Sequence, residues 1–217
     1  MSINQLRWSG LTTAIGLMAG LSALGDTPDT RASTETIAAY FVNHHTSVLV
    51  GAVLMATAAC ALLVFGASLV ERWASNGVNG RTLQSATTLM AALIFVLMVT
   101  VYVVLTYVVG SEAPDSAKPL FEMSLVATPV IAVVLALFYA ATALATLRGD
   151  ARRWFAYLTA ALSPIMMMSA MSFAARGPFS PDVQQQVVFE TLIAWLVTAS
   201  IVLGRSSTAS ASLETQL

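Results

Sequence analysis

Six apolar runs, separated by short segments that hold almost every charge, constrain this chain more than any other feature. A helix needs about 20 apolar residues to cross ~30 Å of hydrocarbon. Runs of that order fall at about 8–24, 47–70, 83–109, 123–147, 154–175 and 187–203. Inside a bilayer, backbone N–H and C=O groups must find partners within their own segment, so such runs are helices. The expectation is an all-α, polytopic transmembrane bundle of six spans in the cell membrane. Residues 1–204 form its one domain, and 205–217, rich in Ser and Thr, are expected to be a disordered tail.

Only 10% of the 217 residues are charged and 57% are hydrophobic, against about 25% charged in soluble domains. Six spans leave no room for a separate soluble domain. The ten basic residues form no clustered patch, which argues against a nucleic-acid partner. The one cysteine, Cys60, falls inside the second run, so no disulfide forms within a chain and no cysteine-based metal site is available. The partner these properties do imply is the lipid bilayer.

Orientation follows from the bases. With the N-terminus inside, the inner segments hold Arg7, Arg72, Arg81, Arg148, Arg152, Arg153 and Arg205, and the outer ones only Arg31, Lys118 and Arg176. Both termini are therefore expected in the cytoplasm. Acids gather outside: Asp26, Asp29, Glu35, Glu112, Asp115, Glu122 and Asp182, with Glu190 inside a span. Arg7, the first run and Ala23-Leu24-Gly25 also have the form of a signal peptide with a small-x-small cleavage site. The run is longer than a usual signal core and Asp26 would sit at the cut, so retention is the preferred reading.

The longest outer segment runs from Gly25 to about Thr46. Gly25-Asp26-Thr27-Pro28-Asp29-Thr30 is turn chemistry. Ser33 then suits a helix N-cap, with Glu35 in the first turn. Ile37, Tyr40 and Phe41 share one face, so a short helix over about 34–43, along the outer membrane surface, is expected. The inner Gly/Asn turn 76–80 and the tighter turn 147–150 make the helices they join antiparallel neighbours. Pro119 suits the first turn of the fourth span, and Arg176-Gly177-Pro178 closes the fifth. Ser180-Pro181-Asp182 reads as cap, first position and first-turn acid of the sixth.

Glu190 is the leading candidate for chemistry. It lies ten residues into the sixth helix, about 15 Å along its axis, after a polar stretch of Gln184, Gln185 and Gln186. A carboxylate in a span costs ~3 kcal/mol on insertion scales and faces a cavity or a partner. The competing reading pairs it with Arg176 or Lys118 as a tie between helices. Glu122, in the first turn of the fourth span, is explained equally by the helix dipole. If both helices begin at the outer face, the two acids share a level, where neighbouring carboxylates divide into an acid and a base. Asp26 and Asp29 have D-x-x-D spacing, which serves a shared proton or a divalent ion, but a self-capping turn accounts for it as well. His44 and His45 point about 100° apart on a helix and cannot clamp one metal ion; an interfacial anchor is the simpler role.

Met166, Met167, Met168 and Met171 follow Pro164 in the fifth run. Consecutive methionines diverge around a helix, so a flexible apolar lining fits them better than a copper site. A bend at Pro164 beside adaptable Met167 and Met171 makes room for a greasy molecule, with Tyr102, Tyr107, Phe138, Tyr139 and Trp195 as further lining, though aromatic residues also pack cores by default. No phosphate-binding loop, zinc-protease motif, serine-hydrolase elbow or aspartate-rich diphosphate motif is present. No metal and no cofactor is expected.

Gly25-Asp26-Thr27-Pro28-Asp29, then Ser33-Thr34-Glu35, Ala38-Ala39-Tyr40-Phe41 and His44, resemble the acidic outer loop of a group of small bacterial six-helix integral membrane proteins. The likeness covers roughly the first 75 residues. In size, span number and outer carboxylates the chain is also similar, as an architecture, to small bacterial membrane-bound terpene cyclases of meroterpenoid pathways. That resemblance implies an acid-initiated, metal-independent isomerase or cyclase acting on an isoprenoid-type substrate; the residues themselves nominate Glu190 as its acid, with Asp26, Asp29 and Glu122 in support. The other reading is a non-catalytic carrier, binder or accessory subunit for a hydrophobic small molecule.

Overall fold

The computed structural model describes residues 3–29, 31–75, 81–109, 114–148, 153–172 and 180–205. Among these residues the secondary structure is wholly helical: α1 (Ile3–Leu24), α2 (Thr34–Asn43), α3 (His45–Ser75), α4 (Arg81–Val108), α5 (Ala117–Arg148), α6 (Arg153–Ser169) and α7 (Pro181–Arg205), with a 3₁₀ turn at Pro114–Ser116. Four of them, α3, α4, α5 and α7, are long and apolar enough to cross a membrane. That is two fewer than the six apolar runs. In α1, Gly, Ser and Thr dilute the hydropathy of a 22-residue helix. The fifth run, expected over 154–175, gives a helix of 17 residues, or ~25 Å. It stops because its last turn tightens: the Met171 N–H bonds Met168 O at 3.0 Å, a three-residue closure typical of helix ends. Met171 therefore lies beyond α6. Of the turn expected over 147–150, Leu147 and Arg148 instead end α5, and of the tail expected over 205–217, Arg205 instead ends α7; the rest of both, the turn over 76–80 and the closing Arg176-Gly177-Pro178 lie outside the described residues.

Other boundaries follow local chemistry. Gly25, at φ +65°, ends α1 in the left-handed conformation that an L side chain resists. The Ser180 carbonyl accepts the Gln184 N–H at 3.0 Å, so Pro181 stands at the first helical position, where its missing N–H costs nothing.

The long helices pack in chain order, α3 on α4, α4 on α5, α5 on α6 and α6 on α7, and α1 lies between α3 and α7 to close a ring. The α1–α3 seam is built from small residues. A Cβ on Gly51 would lie 3.0 Å from Gly20 O, and one on Gly16 would lie 3.2 Å from Leu54 O. Such backbone approach maximises dispersion contact where lipid removes any hydrophobic drive. At the C-terminal end of α7, Arg72 donates from Nη1 to Leu203 O at 2.7 Å, satisfying one of the last carbonyls of that helix with a charge its dipole favours.

Trp195 occupies the axis of the ring. It is fully buried, packs its ring 5.2 Å from those of Phe138 and Tyr139, 5.9 Å from Phe65 and 6.1 Å from Phe155, and donates its indole N–H to Thr159 Oγ1 at 3.0 Å. Aromatic groups from α3, α5, α6 and α7 thus fill the middle of the bundle.

Helix α2 has the bounds its sequence indicates. Ser33 caps it, accepting the Thr36 N–H at 3.2 Å. Hydrogen bonding from the Ser33 hydroxyl, and then from its own backbone N–H, holds Glu35 below the usual carboxylate range. Its apolar face turns to protein rather than to lipid: Ile37 and Phe41 are fully buried, and Phe41 stacks edge-on to Tyr102 of α4 (5.7 Å) and Phe121 of α5 (6.3 Å). Tyr40 donates its hydroxyl to Leu24 O at 2.5 Å, tying α2 to the end of α1. Burial pushes the Tyr40 phenol up to about 12 from 10. Because the folded value is raised, this contribution to stability is complete below pH 10 and is lost as pH rises towards 12. Tyr40→Phe is expected to lower stability at neutral pH by about 1–2 kcal/mol through the stranded carbonyl, and to remove that step from the alkaline unfolding profile; comparing the two profiles checks both.

Candidate functional site

Where α1 stops at Gly25, the chain folds over the end of the bundle. Asp29 closes this turn on itself: its Oδ1 accepts the Arg31 N–H at 2.7 Å and its carbonyl accepts the Ala32 N–H at 3.1 Å. Below the turn lies a cavity of about 350 Å³, at the lower end of the range for small-molecule pockets.

One wall comes from α1, with Leu21 and Leu24, and the mouth from Asp26 to Asp29. The facing wall is α7, whose Gln185, Gln186, Phe189 and Glu190 project together because positions four apart share a face. Tyr102 of α4 and Leu125 of α5 complete it. Asp26, Asp29 and Glu190 are exposed, whereas Tyr102 and Phe189 are buried. The mouth is therefore acidic and open and the inner surface apolar. No Lys, Arg or His is among the described residues that line it.

The cavity continues inward as a slot of about 10 Å³ that shares Leu21, Leu24, Tyr102 and Gln185 and is walled by Ala52 and Met55 of α3 and Met98 and Val99 of α4. That volume is about one water-sized sphere. Phe189 packs against Phe95 at 5.5 Å, and the Trp195 cluster fills the bundle beyond it.

Of the residues singled out from sequence, Asp26, Asp29, Glu190 and Tyr102 surround this one cavity. Glu122 is exposed on the first turns of α5, outside the lining. Tyr107 is exposed, edge-on to His45 at 5.7 Å. Met167 lies exposed on α6, and Met171 is exposed past its end. Phe138, Tyr139 and Trp195 are fully buried in the central core rather than along the cavity. The lining residues not singled out as contacts include Leu21, Leu24, Leu125, Phe189, Gln185 and Gln186; the three successive glutamines were the signal for the last two.

His44 stacks on Tyr40 with ring centroids 4.7 Å apart, and its Nδ1 lies 3.0 Å from Tyr40 O, away from the cavity. Among the described residues, no three His, Cys, Asp or Glu side chains converge to hold a metal ion. The site's chemical means are carboxylate acceptors, two amides that both donate and accept, a phenol and aromatic faces. No family model, no curated protein and no solved structure matches this chain.

Proposed function

We propose that this chain is a six-span membrane protein, with both termini in the cytoplasm, that binds a small amphiphilic molecule in the cavity at its outer end. The span count rests on the ring: α1 packs between α3 and α7, and α6 between α5 and α7, so both run alongside helices able to cross a bilayer. The orientation rests on the seven bases assigned to one side against three on the other. The observation that carries the function is the cavity itself, apolar within and acidic at the mouth. This makes the protein a binder or carrier. Glu190 is exposed at the mouth rather than enclosed, whereas an acid that must protonate an olefin works best in a closed site.

An acid-initiated isomerase or cyclase of an isoprenoid-type substrate is the second reading, favoured by the grouping of Asp26, Asp29 and Glu190 around one apolar-walled space. Thermal unfolding of the purified protein, with and without short-chain amphiphiles, tests the first. Bound ligand stabilises by RT ln(1 + [L]/Kd), about 2.7 kcal/mol at a hundredfold excess over Kd. The shift should appear in the wild type and vanish in Gln186→Trp, which fills the mouth from an exposed position. An equal shift in both proteins would remove the cavity from consideration. Turnover of an isoprenoid epoxide, abolished by Glu190→Gln with folding intact, would establish the enzyme instead.

A further inference from the structure

Granting that the cavity binds an amphiphile, the geometry points to the class: we propose that its ligand carries a cationic, ammonium-type head on a slender alkyl tail. The head is selected at the mouth. Asp26 and Asp29 from the loop and Glu190 from the facing α7 are carboxylates at one opening, and no described lining residue carries a compensating positive charge. A field of one sign over a low-dielectric wall concentrates counter-ions of the other sign and repels anions. One carboxylate, Asp29, has an oxygen engaged with the Arg31 N–H; Asp26 and Glu190 add their charge from the loop and from α7.

Just inside, the rings of Tyr102 and Phe189 replace carboxylates. An aromatic face attracts a cation, and alkylated ammonium ions, whose hydration is weak, exploit such faces best. Inorganic cations are a poor fit, because among the described residues no three His, Cys, Asp or Glu side chains converge to hold a metal ion.

The tail is selected by the slot. Met55 and Met98 flank it, and an unbranched thioether side chain changes rotamer at little cost to admit a narrow chain. At about 10 Å³ the slot as it stands holds about one water-sized sphere, so a group entering it must be slender and must displace the methionine side chains. Charge at the mouth and narrowness at depth together separate this class from neutral sterol-like or isoprenoid-ring molecules.

The test uses the full-length protein in zwitterionic nanodiscs and four probes below their critical micelle concentrations: octyltrimethylammonium, octyl sulfate, octanol and tetramethylammonium. Affinities come from the shift of the thermal unfolding midpoint. Octyltrimethylammonium should bind at least tenfold more tightly than octanol and than tetramethylammonium, and octyl sulfate should give no shift. Glu190→Gln should weaken octyltrimethylammonium about fivefold and leave octanol unchanged; Asp26→Asn, on the exposed loop, repeats the measurement should the first variant be poorly folded. Met98→Phe, which narrows the slot, should weaken octyltrimethylammonium and leave tetramethylammonium unaffected. Equal affinity for the ammonium and the alcohol, unchanged in both acid variants, would overturn the cationic head while leaving the cavity a binding site. Binding of none of the four, or binding that Gln186→Trp fails to reduce, would overturn the cavity reading with it.

Discussion

Trp195→Ala is expected to cost the fold about 4 kcal/mol, in the middle of the range for truncating a buried aromatic side chain. The indole fills the bundle axis against rings from α3, α5 and α6, so no single neighbour can collapse into the space left behind. Its loss also removes the donor to Thr159 Oγ1, a fully buried acceptor, and a stranded polar group adds to the penalty. Trp195→Phe retains much of the volume and should cost roughly half as much. Trp8, exposed on α1, is the internal comparison: Trp8→Ala should stay within ~0.5 kcal/mol, the scatter of surface substitutions. Denaturant titration in mild detergent measures all three. A cost for Trp195→Ala near that of Trp8→Ala would mean that the central aromatic cluster does not hold the helices together.

Gly51→Val is expected to have the second-largest effect, about 2–3 kcal/mol from overpacking. A Cβ at this position meets the carbonyl oxygen of Gly20 at 3.0 Å and the Leu24 side chain at 3.2 Å. The obstacle is main chain, which no rotamer change can clear, so α1 and α3 must separate. Separation moves Leu21 and Leu24, which line the cavity, so loss of stability and loss of ligand binding should occur together. Binding that survives unchanged in a destabilised Gly51→Val would show that the α1–α3 seam does not set the cavity's shape.

How much of this was readable in the chain depended on whether the signal was local. Helix α2 was legible because a cap, a first-turn acid and three apolar positions on one face agree with one another, and the structure has Ser33 accepting Thr36 N–H and Ile37, Tyr40 and Phe41 buried. The apolar runs gave the all-helical class and the four long spans for the same reason. The end of α6 was not legible: apolar Met and Ala residues continue past Ser169, and nothing local distinguishes a helix that stops there. Charges stand out in an apolar chain, so Asp26, Asp29 and Glu190 could be picked out one by one, while their arrangement round a single cavity depends on α1 and α7 lying side by side. Phe138, Tyr139 and Trp195 illustrate the converse. An aromatic residue on a helix faces core, cavity or lipid according to which neighbours the ring supplies, and residue type carries no information on that choice. The Gly16-x-x-x-Gly20 spacing, by contrast, is a sequence-level mark of close helix approach, and it lies on the α1 surface that meets α3.

The loop over the cavity is anchored by hydrogen bonds at both of its ends, at Leu24 through Tyr40 and at Ser33 through its cap on α2. If the cavity binds as proposed, recognition would proceed in series: a molecule would be sorted by sign at an anchored rim before it is sorted by width at depth. Rim charges act through long-range fields and change how fast a molecule arrives, whereas contacts in the interior change how long it stays. Neutralising Asp26 and altering Met98 would thus leave separate kinetic marks, one on entry and one on residence, even where the two changes weaken binding equally.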